Sequence, residues 1–172
     1  MSFIETNFGS GIQEALLPLL VSNVLHMFLV KQNWLSFLSV PIHKTWFGQN
    51  KTYRGFIFLI LCNALLLPLL NWNFEFVKFS EGALFGFIYM LSELPNSFLK
   101  RRLGIGSGQG PQKNAWLFSL LDKSDSTFGV SLVWYIYSDA SLVQALHLFL
   151  GAVLVHSLVS LLLLKASVKK SF

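Results

Sequence analysis

Cysteine and charge are both scarce in this chain. A single cysteine, Cys62, stands among 172 residues, which excludes an intramolecular disulfide framework and a thiolate zinc cluster. Charged residues make up 12%, about half the roughly 25% of an average soluble domain. Repeats, heptads and low-complexity tracts are missing, so solenoids and long coiled coils are excluded. What is present is apolar: 53% of the residues, with a mean hydropathy of +0.58. That balance excludes an ordinary soluble globule, a disordered chain and a collagen-like fibre. The length suits one domain, residues 1–172. A net charge of +5 fits either nucleic acid or an anionic membrane surface, and the positions of the basic residues decide between them.

About 20 helical residues cross about 30 Å of hydrocarbon. Ile12 to Val30 and Leu142 to Leu164 meet that length, and Gly55 to Leu70 comes close, followed by Asn71-Trp72-Asn73, an interfacial composition. Phe79 to Leu91 and Thr127 to Tyr137 are too short unless each helix runs on into polar sequence, the second of them starting near Trp116. The expectation is an all-α, integral-membrane bundle of about five transmembrane helices. With the N-terminus outside, Lys31, Lys44, Lys51, Arg54, Lys100, Arg101, Arg102, Lys113, Lys123, Lys165, Lys169 and Lys170 fall on the cytoplasmic side and only Lys78 outside. The first span has no basic n-region and no small-residue cleavage site, and is read as a retained helix. The glycine-rich stretch Gly104 to Pro111 reads as a mobile hinge or lid.

Three polar clusters stand at the cytoplasmic ends of these spans. Phe47-Gly48-Gln49-Asn50-Lys51-Thr52-Tyr53-Arg54-Gly55 puts Lys51 and Arg54 on one face of a helix start, suited to a phosphate or to anionic headgroups. Ser92 to Arg102 aligns Glu93, Asn96, Ser97, Lys100 and Arg101 at helical spacing, with Pro95 as a site for a kink. A carboxylate at that depth serves an ion or substrate path, or pairs structurally with Lys100 or Arg101. Leu121 to Ser126 places Asp122 and Asp125 on one helix face, where they suit a divalent cation sharing phosphate oxygens, or else cap a helix N-terminus.

Other signals fail. The glycines lack the Lys-Ser/Thr of a phosphate-binding loop and the strand–turn–helix setting of a dinucleotide fingerprint. His26 and His156 read as packed or hydrogen-bonded within the bundle, His147 and His156 stand on opposite helix faces, and His43 is open. The aromatic residues suit packing and interfaces better than base stacking, so no nucleic-acid partner is expected.

Gly48-Gln49-Asn50-Lys51-Thr52-Tyr53-Arg54-Gly55 and Ser97-Phe98-Leu99-Lys100-Arg101-Arg102-Leu103-Gly104-Ile105, followed by Asp122-x-x-Asp125-Ser126, resemble the motifs of the CDP-archaeol synthase family, related to the phosphatidate cytidylyltransferases. The chain departs from that pattern at Lys123 and at Glu93, where the family favours Gln or Arg and an aspartate. The resemblance implies an enzyme of the cell (inner) membrane with a cytoplasmic active site. Its partners would be CTP, a phosphatidate-like or archaetidic-acid-like lipid phosphate and membrane lipids, and its cofactor Mg²⁺. Lys51, Arg54, Lys100 and Arg101 would be catalytic, holding phosphates, and Thr52, Asn96, Ser97, Arg102 and Lys123 would contact substrate. Asp122, Asp125 and Glu93 would bind the metal. The alternative is a non-catalytic membrane transport or assembly protein; the lack of an inverted repeat weighs against a transporter.

Overall fold

The computed structural model describes residue 11, residues 15–109 and residues 115–165. The glycine stretch beyond residue 109, the start of the first expected span and Lys113, Lys169 and Lys170 lie outside the described residues. The chain is all-helical among the described residues, with α1 (Leu17–Lys31), a 3₁₀ turn (Ser36–Leu38), α2 (Lys44–Phe47), α3 (Tyr53–Asn71), α4 (Phe76–Arg102), α5 (Ala115–Tyr137) and α6 (Leu142–Lys165).

Local chemistry sets the boundaries. Pro18 sits in the first turn of α1, where a missing N–H costs nothing, and Lys31 ends that helix on its negative pole. Thr52 is extended and accepts a hydrogen bond from the Gly55 N–H, starting α3. Trp72 closes α3 at a positive φ of 51°. Ser141 and Gln144 bond reciprocally at the start of α6, a capping box in which Gln144 Oε1 accepts from Ser141 N at 2.7 Å. Pro95 lies inside α4, which continues for 27 residues from Phe76 through the whole second polar cluster.

Packing follows chain order: α3 lies along α4, α4 along α5, α5 along α6, and α1 against α3. Gly82 and Gly86 of α4 allow the closest approach. A Cβ at Gly86 would stand 2.6 Å from the Leu59 carbonyl oxygen, and one at Gly82 would meet the Asn63 backbone. Small residues four apart let helix backbones approach closely. Asn63, fully buried, donates to Ser22 Oγ at 2.8 Å and ties α1 to α3. The core is completed by Leu19, Leu59, Leu67, Phe85, Tyr89, Met90, Val130, Trp134 and Leu148.

The outer surface is apolar. Ile57, Leu61, Leu65 and Leu69 form an exposed stripe on α3, and Leu142, Leu146, Leu150, Leu154, Leu158 and Leu162 form another on α6. Soluble monomers rarely leave such continuous apolar faces in water. Two helices, α3 and α6, are long and apolar enough to cross a membrane, while α1 is apolar but has 15 residues. Helices α4 and α5 have the length, with 27 and 23 residues, but carry the polar clusters.

Candidate functional site

The second and third clusters meet because α4 and α5 pack side by side. Gly129 permits this, a Cβ there running into the Ser92 side chain. Asp122 and Asp125 are seven and ten residues inside α5, so neither caps a helix start. Their three-residue spacing turns both carboxylates toward α4, where Asn96 Nδ2 donates to Asp122 Oδ1 at 2.6 Å and to Asp125 Oδ2 at 3.0 Å. Lys100, one turn further along α4, donates to both oxygens of Asp122. Asp125 Oδ1 also accepts from the Ser126 N–H at 2.6 Å.

Glu93 has a different partner from those its sequence position suggests. Lys51, on the loop ahead of α3, forms an ion pair with it, instead of Lys100 or Arg101, while Glu93 lines the same chamber as the two aspartates. Burial works against the charge on Lys51, but the facing Glu93 carboxylate, with Asp125 and Asp122 beyond it, more than offsets this and raises its pKa above the ordinary value.

A cavity of about 960 Å³ opens over these groups, lined by Lys51, Glu93, Asn96, Ser97, Lys100, Arg101, Asp122, Lys123 and Asp125. Lys123, 7% exposed, donates to Ser119 Oγ at 2.7 Å. Ser97 lines the cavity while its hydroxyl is held by the Glu93 carbonyl at 2.9 Å. Nine of the twelve residues expected from the sequence are therefore brought to one chamber.

Three are not. Arg54 is buried, its guanidinium donating to the Trp34 carbonyl at 3.2 Å, so it fastens the α1–α2 connection to α3. Thr52 caps α3. Arg102 lies over the Phe98 ring, 5.0 Å from its centroid.

Sequence reasoning missed the far wall: Asn23 and Met27 of α1, Tyr89 of α4, and His156 and Ser157 of α6. Asn23 and His156 are polar residues inside apolar helices, and that was the available signal. His156 was expected to be packed; it does tilt against Tyr89, with centroids 6.4 Å apart, yet it also faces the chamber. His26 is packed, stacked on Phe58 at 5.9 Å. His43 caps α2, its Nδ1 accepting from Trp46 N at 3.3 Å.

Among the described residues no three Asp, Glu, His or Cys side chains are grouped to hold a metal. The two aspartates do converge on one point, and the buried Oδ1 of Asn96 has no hydrogen-bond partner. Asn96 presents Nδ2 to the carboxylates; with its carboxamide turned over, two carboxylates and an amide oxygen, completed by water and phosphate oxygens, would fit the hard-oxygen, partly hydrated shell that Mg²⁺ takes. Comparison with known protein families, with curated proteins and with solved structures returns no match.

Proposed function

We propose that this chain is a membrane-embedded nucleotidyltransferase that transfers CMP from CTP to a lipid phosphate, giving a CDP-lipid and pyrophosphate. The observation that carries this reading is the convergence of Asp122 and Asp125 on Asn96, flanked by Lys100, in a polar chamber at one end of an otherwise apolar bundle. Acidic groups that attract a divalent cation, beside fixed basic groups, are what phosphoryl chemistry requires.

In this reading α1, α3, α4, α5 and α6 all span the membrane. The basic ends of α1, α4 and α6 and the start of α3 face the cytoplasm, with Lys78 and its partner Glu81 at the opposite end. A buried lysine–carboxylate chamber between helices is costly in hydrocarbon and marks a substrate path. The chamber wall includes α1 and α6, which do not pack closely along each other among the described residues, so in this reading a lipid phosphate enters sideways from the bilayer.

The lipid phosphate oxygen attacks the α-phosphorus of CTP, a new P–O bond forms, and the bond from the α-phosphorus to the bridging oxygen breaks to release pyrophosphate. A phosphate anion needs no strong general base, so the side chains position and neutralise. Lys100, Arg101 and Lys123 hold phosphate oxygens, Lys51 keeps Glu93 paired below them, and Asp122, Asp125 and Asn96 form the cation site. Mg²⁺ bound there would supply charge neutralisation on the triphosphate.

The test is purified protein in nanodiscs with labelled CTP, Mg²⁺ and, separately, an ester-linked and an ether-linked isoprenoid lipid phosphate. Pyrophosphate release with a matching CDP-lipid is expected with at least one lipid. Failure with both overturns the reading.

A further inference from the structure

The connection between α1 and α3 carries apolar side chains that neither the chamber nor the core uses. Trp34 and Phe37 are 66% and 74% exposed, with Leu35 and Val40 exposed beside them. None of the four lines the chamber or joins the buried cluster.

The segment is built, not slack. Trp34 N donates to the Leu29 carbonyl at 3.0 Å and Asn33 N to the Val30 carbonyl at 3.1 Å, ending α1 in a Schellman turn with Asn33 at a φ of 54°. Leu35 follows at a φ of 51°, a region that a branched side chain disfavours and that persists only where its surroundings impose it. Leu38 N closes the 3₁₀ turn on the Leu35 carbonyl at 3.0 Å. The far arm is fastened too, Tyr53 N donating to the Val40 carbonyl at 3.0 Å and Ile42 N to the Lys51 carbonyl at 2.9 Å. An ordered, strained turn thus holds its apolar side chains away from the protein core.

Its depth follows from the same bonds. Tyr53 and Arg54 stand in the first turn of α3, a helix long and apolar enough to cross a membrane. Arg54 donates to the Trp34 carbonyl and Tyr53 to that of Val40, so both arms of the turn are tied level with the end of that helix. Phe37 is three residues from each tie, within about 10 Å of that level even on extended chain. Charge agrees with this placement. Between Glu14 and Glu75 the sequence holds no acidic residue and four basic ones. Lys51 pairs with Glu93 and Arg54 is buried, which leaves Lys31 and Lys44, both exposed, on either side of the turn.

We propose that this turn is an interfacial foot: Trp34, Leu35, Phe37 and Val40 seat in the headgroup zone of the bilayer, and Lys31 and Lys44 hold anionic lipid headgroups around them. The inference rests on the membrane placement of α3 and not on the nucleotidyltransferase chemistry. Aromatic rings settle at the boundary between hydrocarbon and water, and lysines beside them draw anionic lipid. The bilayer thereby takes up apolar surface that the fold itself leaves uncovered. Because the far arm of the same connection carries Lys51 to the chamber edge, seating the foot also fixes the depth of that edge in the membrane.

The test uses purified Phe37→Cys and Leu65→Cys, each in a Cys62→Ala background and labelled with an environment-sensitive fluorophore, in phosphatidylcholine vesicles. Leu65 is an exposed position within α3. The vesicles carry a quenching lipid spin-labelled just below the headgroup, either phosphatidylglycerol or phosphatidylcholine. Both should quench the probe at position 37, the anionic lipid about 2-fold or more better. Adding Lys31→Gln and Lys44→Gln, or raising the salt, should make the two lipids equal. A lipid spin-labelled at the chain end should quench position 65 and not position 37. No quenching at position 37, a blue-shifted but unquenched probe there, which points to a protein partner, or an anionic preference that is absent or survives loss of both lysines overturns the foot. Quenching at position 65 alone sinks the foot and leaves the span standing, whereas no quenching at either position sinks the membrane placement with it.

Discussion

Lys51 and Glu93 are 42 positions apart and form an ion pair at the chamber edge, with about a fifth of each side chain exposed. Removing either partner strands a charge in a poorly solvated place, so Glu93→Gln and Lys51→Met should each destabilise the fold by about 1–3 kcal/mol. A double-mutant cycle by thermal unfolding should return a positive coupling of similar size. Additive losses would show the pair to be energetically idle.

The raised pKa of Lys51 has a definite sign. A lysine held above its unfolded value contributes its full stabilisation below the ordinary lysine pKa, and loses it only as pH climbs through the raised value. The difference in melting temperature between wild type and Lys51→Met should therefore stay flat from about pH 6 to 9 and shrink only at higher pH. A difference that collapses near neutrality would contradict the assignment.

Asp122→Asn and Asp125→Asn should each lower Mg²⁺-dependent CDP-lipid formation by roughly 100-fold or more while leaving the melting temperature within a few degrees. Both carboxylates accept from Asn96, and an asparagine at either position can still accept that bond, so the substitution removes charge more than packing. Full turnover by either variant would remove the aspartates from the cation site.

Arg54 and Lys100 should separate cleanly. Arg54→Ala should lower stability by about 1–3 kcal/mol with the KM for CTP little changed, because its guanidinium donates to the Trp34 carbonyl and does not line the chamber. Lys100→Ala should raise that KM with little effect on folding. The reverse pattern would return Arg54 to the phosphate-binding set.

Membrane sidedness can be read with one cysteine at a time. In a Cys62→Ala background, Leu103→Cys after α4 and Phe74→Cys before it are both exposed positions. An impermeant maleimide should label position 74 from outside intact cells and position 103 only after the membrane is opened. Labelling of both from one side would mean that α4 does not cross.

Much of the helical layout was legible because hydropathy acts residue by residue. The expected Gly55–Leu70 and Leu142–Leu164 segments became Tyr53–Asn71 and Leu142–Lys165, with Thr52 capping the earlier start of α3 and the Ser141–Gln144 cap holding the start of α6 at Leu142. The continuations of α4 and α5 through polar sequence followed from length alone. The connection between α1 and α3 was not legible: the 3₁₀ turn and α2 are too short for periodicity to mark, and a loop bridge between Val40–Ile42 and Lys51–Tyr53 depends on distant partners.

The sequence by itself determined that this is an apolar helical chain, with its scarce charges gathered at the ends of particular helices. Spacing on one helix also fixed that Asp122 and Asp125 share a face, and that Glu93, Asn96 and Lys100 share another. Only the tertiary structure decided which of these charges meet. Packing of α4 on α5 gave the aspartates Asn96 and Lys100, the loop before α3 gave Glu93 to Lys51, and Arg54 was buried against the Trp34 carbonyl, off the chamber lining. The physical reason is that helical periodicity fixes faces within a helix, whereas partners across helices depend on how closely Gly82, Gly86 and Gly129 let the backbones approach.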